Sequence, residues 1–135
     1  MTNQEKKAYL SRYRDNEREI RRLQEEILRW ESLAGRTTVS FGGAGGSNGE
    51  DRMQAAIEQI VALQNRLTLQ LEQQVQVRDG IEAAIGTVPE ERLRLLLRYR
   101  YIEGWTWERI AVEMNYAYRN VTRLHGQALA DMKMS

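Results

Sequence analysis

The chain has 135 residues, 20 basic and 19 acidic side chains, one histidine, no cysteine and a formal net charge of +1. That length suits one or two small domains, and the lack of cysteine removes disulfide, thiol-nucleophile and cysteine–metal chemistry; a single histidine does not suggest a metal site either, so no cofactor is expected. One proline, one phenylalanine and little strand-like alternation predict an all-α fold. No stretch approaches the roughly 20 apolar residues of a membrane span, and the opening MTNQEKKAYL has no signal-peptide core, so a cytoplasmic protein without a membrane partner is expected.

The first helix is predicted over residues 3–34. Tyr9, Tyr13, Asn16, Ile20, Leu23, Ile27, Trp30 and Ala34 alternate four and three apart, a heptad seam that asks for a helical partner. Asn16 is the polar member of the seam, a type that fixes register at some cost in stability. The outer faces of this segment carry eight basic and seven acidic residues, which reads as a solvated face with local ion pairs.

Residues 35–49 follow as a predicted linker, six of the fifteen being glycine. A phosphate-cradling loop is the alternative, but neither a G-K-[ST] ending nor correctly spaced glycines between a strand and a helix is present. As a flexible coil the segment spans roughly 20 Å, enough for an antiparallel hairpin without requiring one. A second long helix is predicted over residues 50–85, with Met53, Ile57, Ile60, Leu63, Leu67, Leu71 and Val75 as its main stripe and Ile81 and Ile85 beyond. Both helices come to roughly 50 Å. Pairing within one chain and pairing between chains fit this pattern equally, and a homo-oligomer formed through the coiled coil is expected.

The C-terminal part, residues 87–135, holds eight basic against six acidic residues, whereas residues 50–86 hold three against six. TVPE reads as a capping box of Thr87 and Glu90, with Pro89 in the first turn. Leu93, Leu96, Leu97 and Tyr101 give the next helix its buried side, and Gly104 is placed to end it. Thr106 is a candidate cap for a short helix whose buried face is Trp107, Ile110, Ala111 and Met114, with Trp105 and Ile110 at the positions of a hydrophobic staple. Asn115 tolerates the left-handed conformation of a tight turn. The last helix is predicted over 117–132, burying Val121, Leu124, His125, Ala128 and Met132, with His125 a hydrogen-bonded core residue.

The opposite side of that helix carries Arg119, Thr122, Arg123, Gly126 and Gln127. Two arginines one turn apart reach guanine edges or phosphates, glutamine pairs with adenine, and Gly126 offers no side chain to hold the backbone away from DNA. The helix–turn–helix layout predicts that this second helix enters the major groove. Arg98 and Arg109, with Arg92, Arg94 and Arg100, are candidate phosphate contacts, partly neutralised by neighbouring glutamates.

From Pro89 to Met132 the segments LRLLLRYRYIEG, WTWERIA, MNY and VTRLHGQAL resemble the fourth conserved region of bacterial sigma factors, and more closely the small phage regulators of the ArpU and RinA type. Two features depart from the pattern: Ala117 stands where sigma factors commonly cap the recognition helix with serine or threonine, and the leucine–histidine pair sits one residue early. The resemblance implies a sequence-specific, double-stranded-DNA-binding transcriptional regulator of phage or prophage late genes, with RNA polymerase as a further candidate partner. The alternative is a coiled-coil assembly or packaging protein, similar to a small terminase subunit, whose helix–turn–helix docks DNA or protein. An enzyme is not expected, since the carboxylates are scattered over helix surfaces and no nucleophile motif is present.

Overall fold

A computed structural model describes residues 1–41 and 47–134, with the side chains of residues 1–36 and 49–134. Among these residues there are five helices and no strand: α1 (Asn3–Phe41), α2 (Ser47–Gly86), α3 (Glu91–Tyr101), α4 (Trp107–Met114) and α5 (Tyr118–Asp131). No helix among them is long and apolar enough to cross a membrane. The expected linker over 35–49 is corrected in part: residues 35–41 continue α1 and residues 47–49 begin α2, while the rest of that segment lies outside the described residues. Glycine costs a helix only about 1 kcal/mol, which the long helix of which Gly35 is a part absorbs.

The chain divides into two compact units, Met1–Asn16 with Gln74–Ser135, and Glu17–Gln73. The division expected at residue 86 therefore moves, because the ends of the two long helices belong with α3–α5. In the smaller unit Leu23, Ile27 and Leu63 form a buried cluster with Trp30 and Leu67 packed against it. A 3.6 Å ion pair joins Glu19 to Arg66. Partner numbers fall as α1 advances, so the two segments pair antiparallel within one chain.

In the first unit the pairing is also antiparallel. The hydroxyl of Tyr9 lies against Gly80, Asn16 Nδ2 donates to Gln74 Oε1 at 2.6 Å, and Gln74 Nε2 donates to the Tyr13 carbonyl at 3.3 Å. Asn16 and Gln74 are both buried, and a polar pair that satisfies itself across a seam specifies register, since sliding one helix would strand both amides.

This pairing corrects the phase of α2. The seam runs through Met53, Ala56, Ile60, Leu63, Leu67, Gln70, Gln74, Val77, Ile81 and Ala84, of which Ala56, Leu63, Gln74, Val77, Ile81 and Ala84 are buried. Ile57, Leu71 and Val75, expected on the buried stripe, are 45%, 46% and 62% exposed. A strict seven-residue repeat puts glutamine, not the larger apolar neighbour, at two seam positions.

Around α3, α4 and α5, which touch one another pairwise, lies the main core. Val88, Leu93, Leu96, Leu97, Ile110, Val121, Leu124 and Ala128 are fully buried there, together with Leu10 of α1 and Ile81 and Ile85 of α2. Each large apolar side chain so buried contributes about 1.5–3 kcal/mol. The α2–α3 connection differs from the capping box read in TVPE. Glu90 is the N-cap of α3 but its side chain makes no capping bond to the helix backbone, whereas the Thr87 hydroxyl donates to the Ala84 carbonyl at 2.6 Å and accepts the Lys133 N–H at 2.8 Å. Thr87 thus closes the end of α2 and ties down the segment after α5.

Candidate nucleic-acid interface

The local chemistry of α4 and α5 sets the geometry of the candidate interface. Thr106, in extended conformation, accepts the Arg109 N–H through its hydroxyl at 3.2 Å and starts α4. Asn115 ends it at φ 59°, ψ 46°, and the Tyr116 N–H donates to the Ala111 carbonyl at 2.9 Å, a bond across six residues that reverses the chain in a left-handed step. Ala117 then leads into α5 with no side-chain cap. The first-turn N–H groups of α5 are therefore left to water or to an outside acceptor.

One side of α5 is committed to the core: Val121, Leu124, Ala128 and Leu129 are buried. His125 is half-buried, shares a 2.7 Å hydrogen bond through Nε2 with the Tyr101 hydroxyl, and lies 4.5 Å from the Trp107 ring. Burial, then the nearby Lys7 and Arg100 charges, pushes the imidazole down to about 4. Burial pushes the Tyr101 phenol up to about 12. Both groups are uncharged at neutral pH, as a hydrogen-bonded core pair requires.

The other side carries Arg119, Thr122, Arg123 and Gln127, all exposed. The Thr122 hydroxyl donates back to the Arg119 carbonyl at 2.9 Å, and Arg123 Nη2 donates to Asn120 Oδ1 at 2.7 Å. The side chains of Arg119 and Gln127 carry no hydrogen bond or ion pair among the described residues. No acidic residue occupies the first turn of α5, so its positive end and its two arginines act together. Asn120 was not singled out by the sequence reading, although it stands three residues before Arg123, close enough on a helix to orient it.

A methyl group built on Gly126 meets nothing within 4 Å. Internal packing therefore gives no reason for a glycine at this position, where it costs the helix about 1 kcal/mol relative to alanine.

The C-terminal half of α5 is held from α1. Asn3 Nδ2 donates to the Gly126 carbonyl at 3.4 Å. The buried Lys6 ammonium donates to the carbonyls of Leu129 at 2.8 Å, Ala130 at 3.4 Å and Met132 at 2.7 Å. A lysine delivered from 123 residues away in sequence thus caps the recognition-helix candidate at its negative end. No family model, curated protein or solved structure matches the chain.

The remaining candidate residues divide. Arg109 stands with its guanidinium carbon 3.9 Å from the Trp105 ring centre, and Trp105 stacks on Tyr99 at 4.2 Å. This ladder holds an exposed cation in place at the start of α4. Arg98 instead pairs with Glu82 of α2 at 3.3 Å, both side chains partly exposed. Arg94 donates to the Val88 and Pro89 carbonyls at 2.6 and 2.8 Å, Arg92 to Glu90 at 2.9 Å, and Arg100 to the Trp105 carbonyl at 2.9 Å while lying 4.3 Å over Trp107. Four of the five arginines of α3 and α4 are therefore engaged within the protein. Arg119, Thr122, Arg123 and Gln127 share one face of α5; Arg109 and Arg98 belong to other elements.

Proposed function

We propose that this chain is a sequence-specific binder of double-stranded DNA and acts as a transcriptional regulator of the phage or prophage type its C-terminal segment resembles. In this reading α5 enters the major groove, where a helix fits and each base pair shows a distinct donor and acceptor pattern. The observation that carries it is the outward face of α5: Arg119, Thr122 and Arg123 lie exposed on the first turns of a helix that follows a capped helix and a left-handed turn. Arg119 and Arg123 read guanine edges or phosphates, Thr122 lines the groove, and Gln127 reaches an adenine. Arg109, held on Trp105, supplies a phosphate contact that carries no sequence information.

The test is selection of genomic fragments by the purified chain at several salt concentrations, followed by sequencing. One motif that persists as salt rises is expected; weak, uniform, salt-sensitive retention overturns the reading. Replacing both Arg119 and Arg123 by alanine is expected to weaken motif binding at least about thirtyfold, from about 1–3 kcal/mol for each good base contact, with unchanged circular dichroism. A palindromic motif with half-sites roughly 34 Å apart goes with a two-fold dimer, and a single half-site with binding beside RNA polymerase.

The assembly or packaging reading is favoured by a different observation: Glu17–Gln73 forms a compact unit of its own, which a minimal DNA reader does not need. A closed ring of many subunits would support it.

A further inference from the structure

The apolar side chains that the smaller unit leaves out of its own core fall on a line. Ile57, Val61 and Leu71 of α2 are 45%, 50% and 46% exposed, and with Gln64 and Thr68 they mark positions 57, 61, 64, 68 and 71. That spacing of four, three, four and three is a second heptad seam beside the one already occupied, and it runs for about 21 Å. The Glu19–Arg66 ion pair marks one flank of the α1–α2 pair. At 100° per residue the second seam lies on the opposite flank, and so does Leu28 of α1, which is 61% exposed. Ile27 packs with Leu63, which sets Leu28 level with Val61. Leu69, 65% exposed, points away from this flank.

We propose that this face is a self-association surface on which α2 of one copy packs antiparallel against α1 of a second copy, about a two-fold axis parallel to the helices. A heptad seam is complementary to another helix, and the charges choose which one. Exposed Glu58 and Glu72 border the seam on its outer side, and exposed Arg21 lies on the same flank of α1. Packing α2 against α2 antiparallel would bring Glu58 of one copy to Glu72 of the other, like against like. Packing α2 against α1 brings Glu72 within about one helical turn of Arg21 and sets Leu28 of one copy against Val61 of the other, with Glu31, exposed on the same flank of α1 and level with Glu58, the one like-charged neighbour that this arrangement keeps. Two such faces, each about 21 Å by two helix widths, bury roughly 1,000 Å² in total, the lower end for a specific interface. The association is therefore concentration-dependent, and it does not rest on the DNA-binding reading.

Sedimentation equilibrium of the full chain from about 1 to 200 µM tests the surface, a range that brackets a micromolar dissociation constant. A monomer–dimer equilibrium is expected, with Val61→Glu plus Leu71→Glu raising its dissociation constant at least about a hundredfold, since the new carboxylates would be buried unpaired. Leu69→Glu, at a more exposed leucine that lies off the seam, is expected to leave it unchanged, and circular dichroism at 222 nm checks that each variant folds. A wild-type monomer at the top concentration, an assembly larger than a dimer, or a dimer that survives the double substitution overturns the proposal. Mixing a Leu28→Cys chain with a Val61→Cys chain is expected to give a disulfide between copies, in a protein that otherwise has no cysteine. Cross-linking of Val61→Cys to itself in preference overturns the α2-on-α1 arrangement.

Discussion

Lys6 offers the sharpest check on how α5 is held. Its side chain is only 9% exposed, and its ammonium donates to three carbonyls at the end of α5. Lys6→Met keeps most of the aliphatic stem and removes the donors. The bonds to Leu129 and Met132 are short and buried, and each acceptor left unpaired costs about 1–3 kcal/mol. The third bond, to Ala130 at 3.4 Å, is partly open to water and contributes little. The total is about 2–6 kcal/mol, a large share of the 5–15 kcal/mol that stabilises a typical domain. For a chain of this size that corresponds to roughly 6–24 °C in melting temperature. The assay is thermal unfolding followed by tryptophan fluorescence, since Trp105 and Trp107 pack against the same core. Lys7→Met, one residue away and exposed, is the control and is expected to stay within about 0.5 kcal/mol of the parent. A Lys6→Met chain that melts within 2 °C of the parent, roughly the size of a surface substitution, refutes the cap.

Gly126→Ala is expected to raise stability by about 1 kcal/mol, because the added methyl meets nothing, and to weaken DNA binding because the backbone no longer approaches the groove; melting and titration on the selected site check the two signs, and a rise in both removes any docking role for the glycine. Arg98→Ala is expected to leave the dependence of DNA affinity on salt unchanged, since that charge is engaged by Glu82; a slope smaller by about one would make Arg98 a phosphate contact after all. The His125 imidazole is held neutral in the folded chain down to about pH 4 but protonates near its ordinary value of 6.5 when unfolded. The stability it confers is complete above pH 6.5 and is lost as pH falls toward 4, at most about 3 kcal/mol and nearer 1–2 once partial exposure is allowed for. His125→Gln, which keeps an acceptor for Tyr101, is expected to lose less stability than the parent between pH 7 and 4.5 in urea titrations; equal losses would place the pH sensitivity elsewhere.

The C-terminal helices were legible in the sequence because their signals agree with one another. Thr106 and Asn115 bracket α4 as cap and left-handed stop, and Leu93, Leu96, Leu97 and Tyr101 bury as their spacing requires. The seam of α1 was legible too, from Tyr13 through Ile27. The phase of α2 was not: Leu71 and Val75 outrank Gln70 and Gln74 in hydrophobicity, and only the pairing of Gln74 with Asn16 shows why an amide is the better seam residue. Thr87 misled for a related reason, since a threonine near a glutamate fits a helix start, and only the Lys133 N–H shows that it serves a helix end. Lys6 left no signal, because lysine near the start of an amphipathic helix is ordinarily a solvated residue and its acceptors lie 123 to 126 residues away. At the candidate interface the sequence identified which residues face outward on α5, while the engagement of Arg98 by Glu82, sixteen residues earlier in sequence, is visible only in the fold.

Because Met1–Asn16 and Gln74–Ser135 make one unit, the order of synthesis matters. On the ribosome, Leu10 and Lys6 emerge long before the surfaces that bury them, and α5 arrives last. Contacts of such long sequence separation slow folding and leave apolar surface uncovered in the interval. The antiparallel pairing within Glu17–Gln73 needs no residue of α5 and is of shorter sequence range than the contacts that bury Lys6 and Leu10. A fragment that begins at residue 87 lacks Leu10, Ile81 and Ile85 from its core, so a test of the proposed DNA reading calls for residues 1–135.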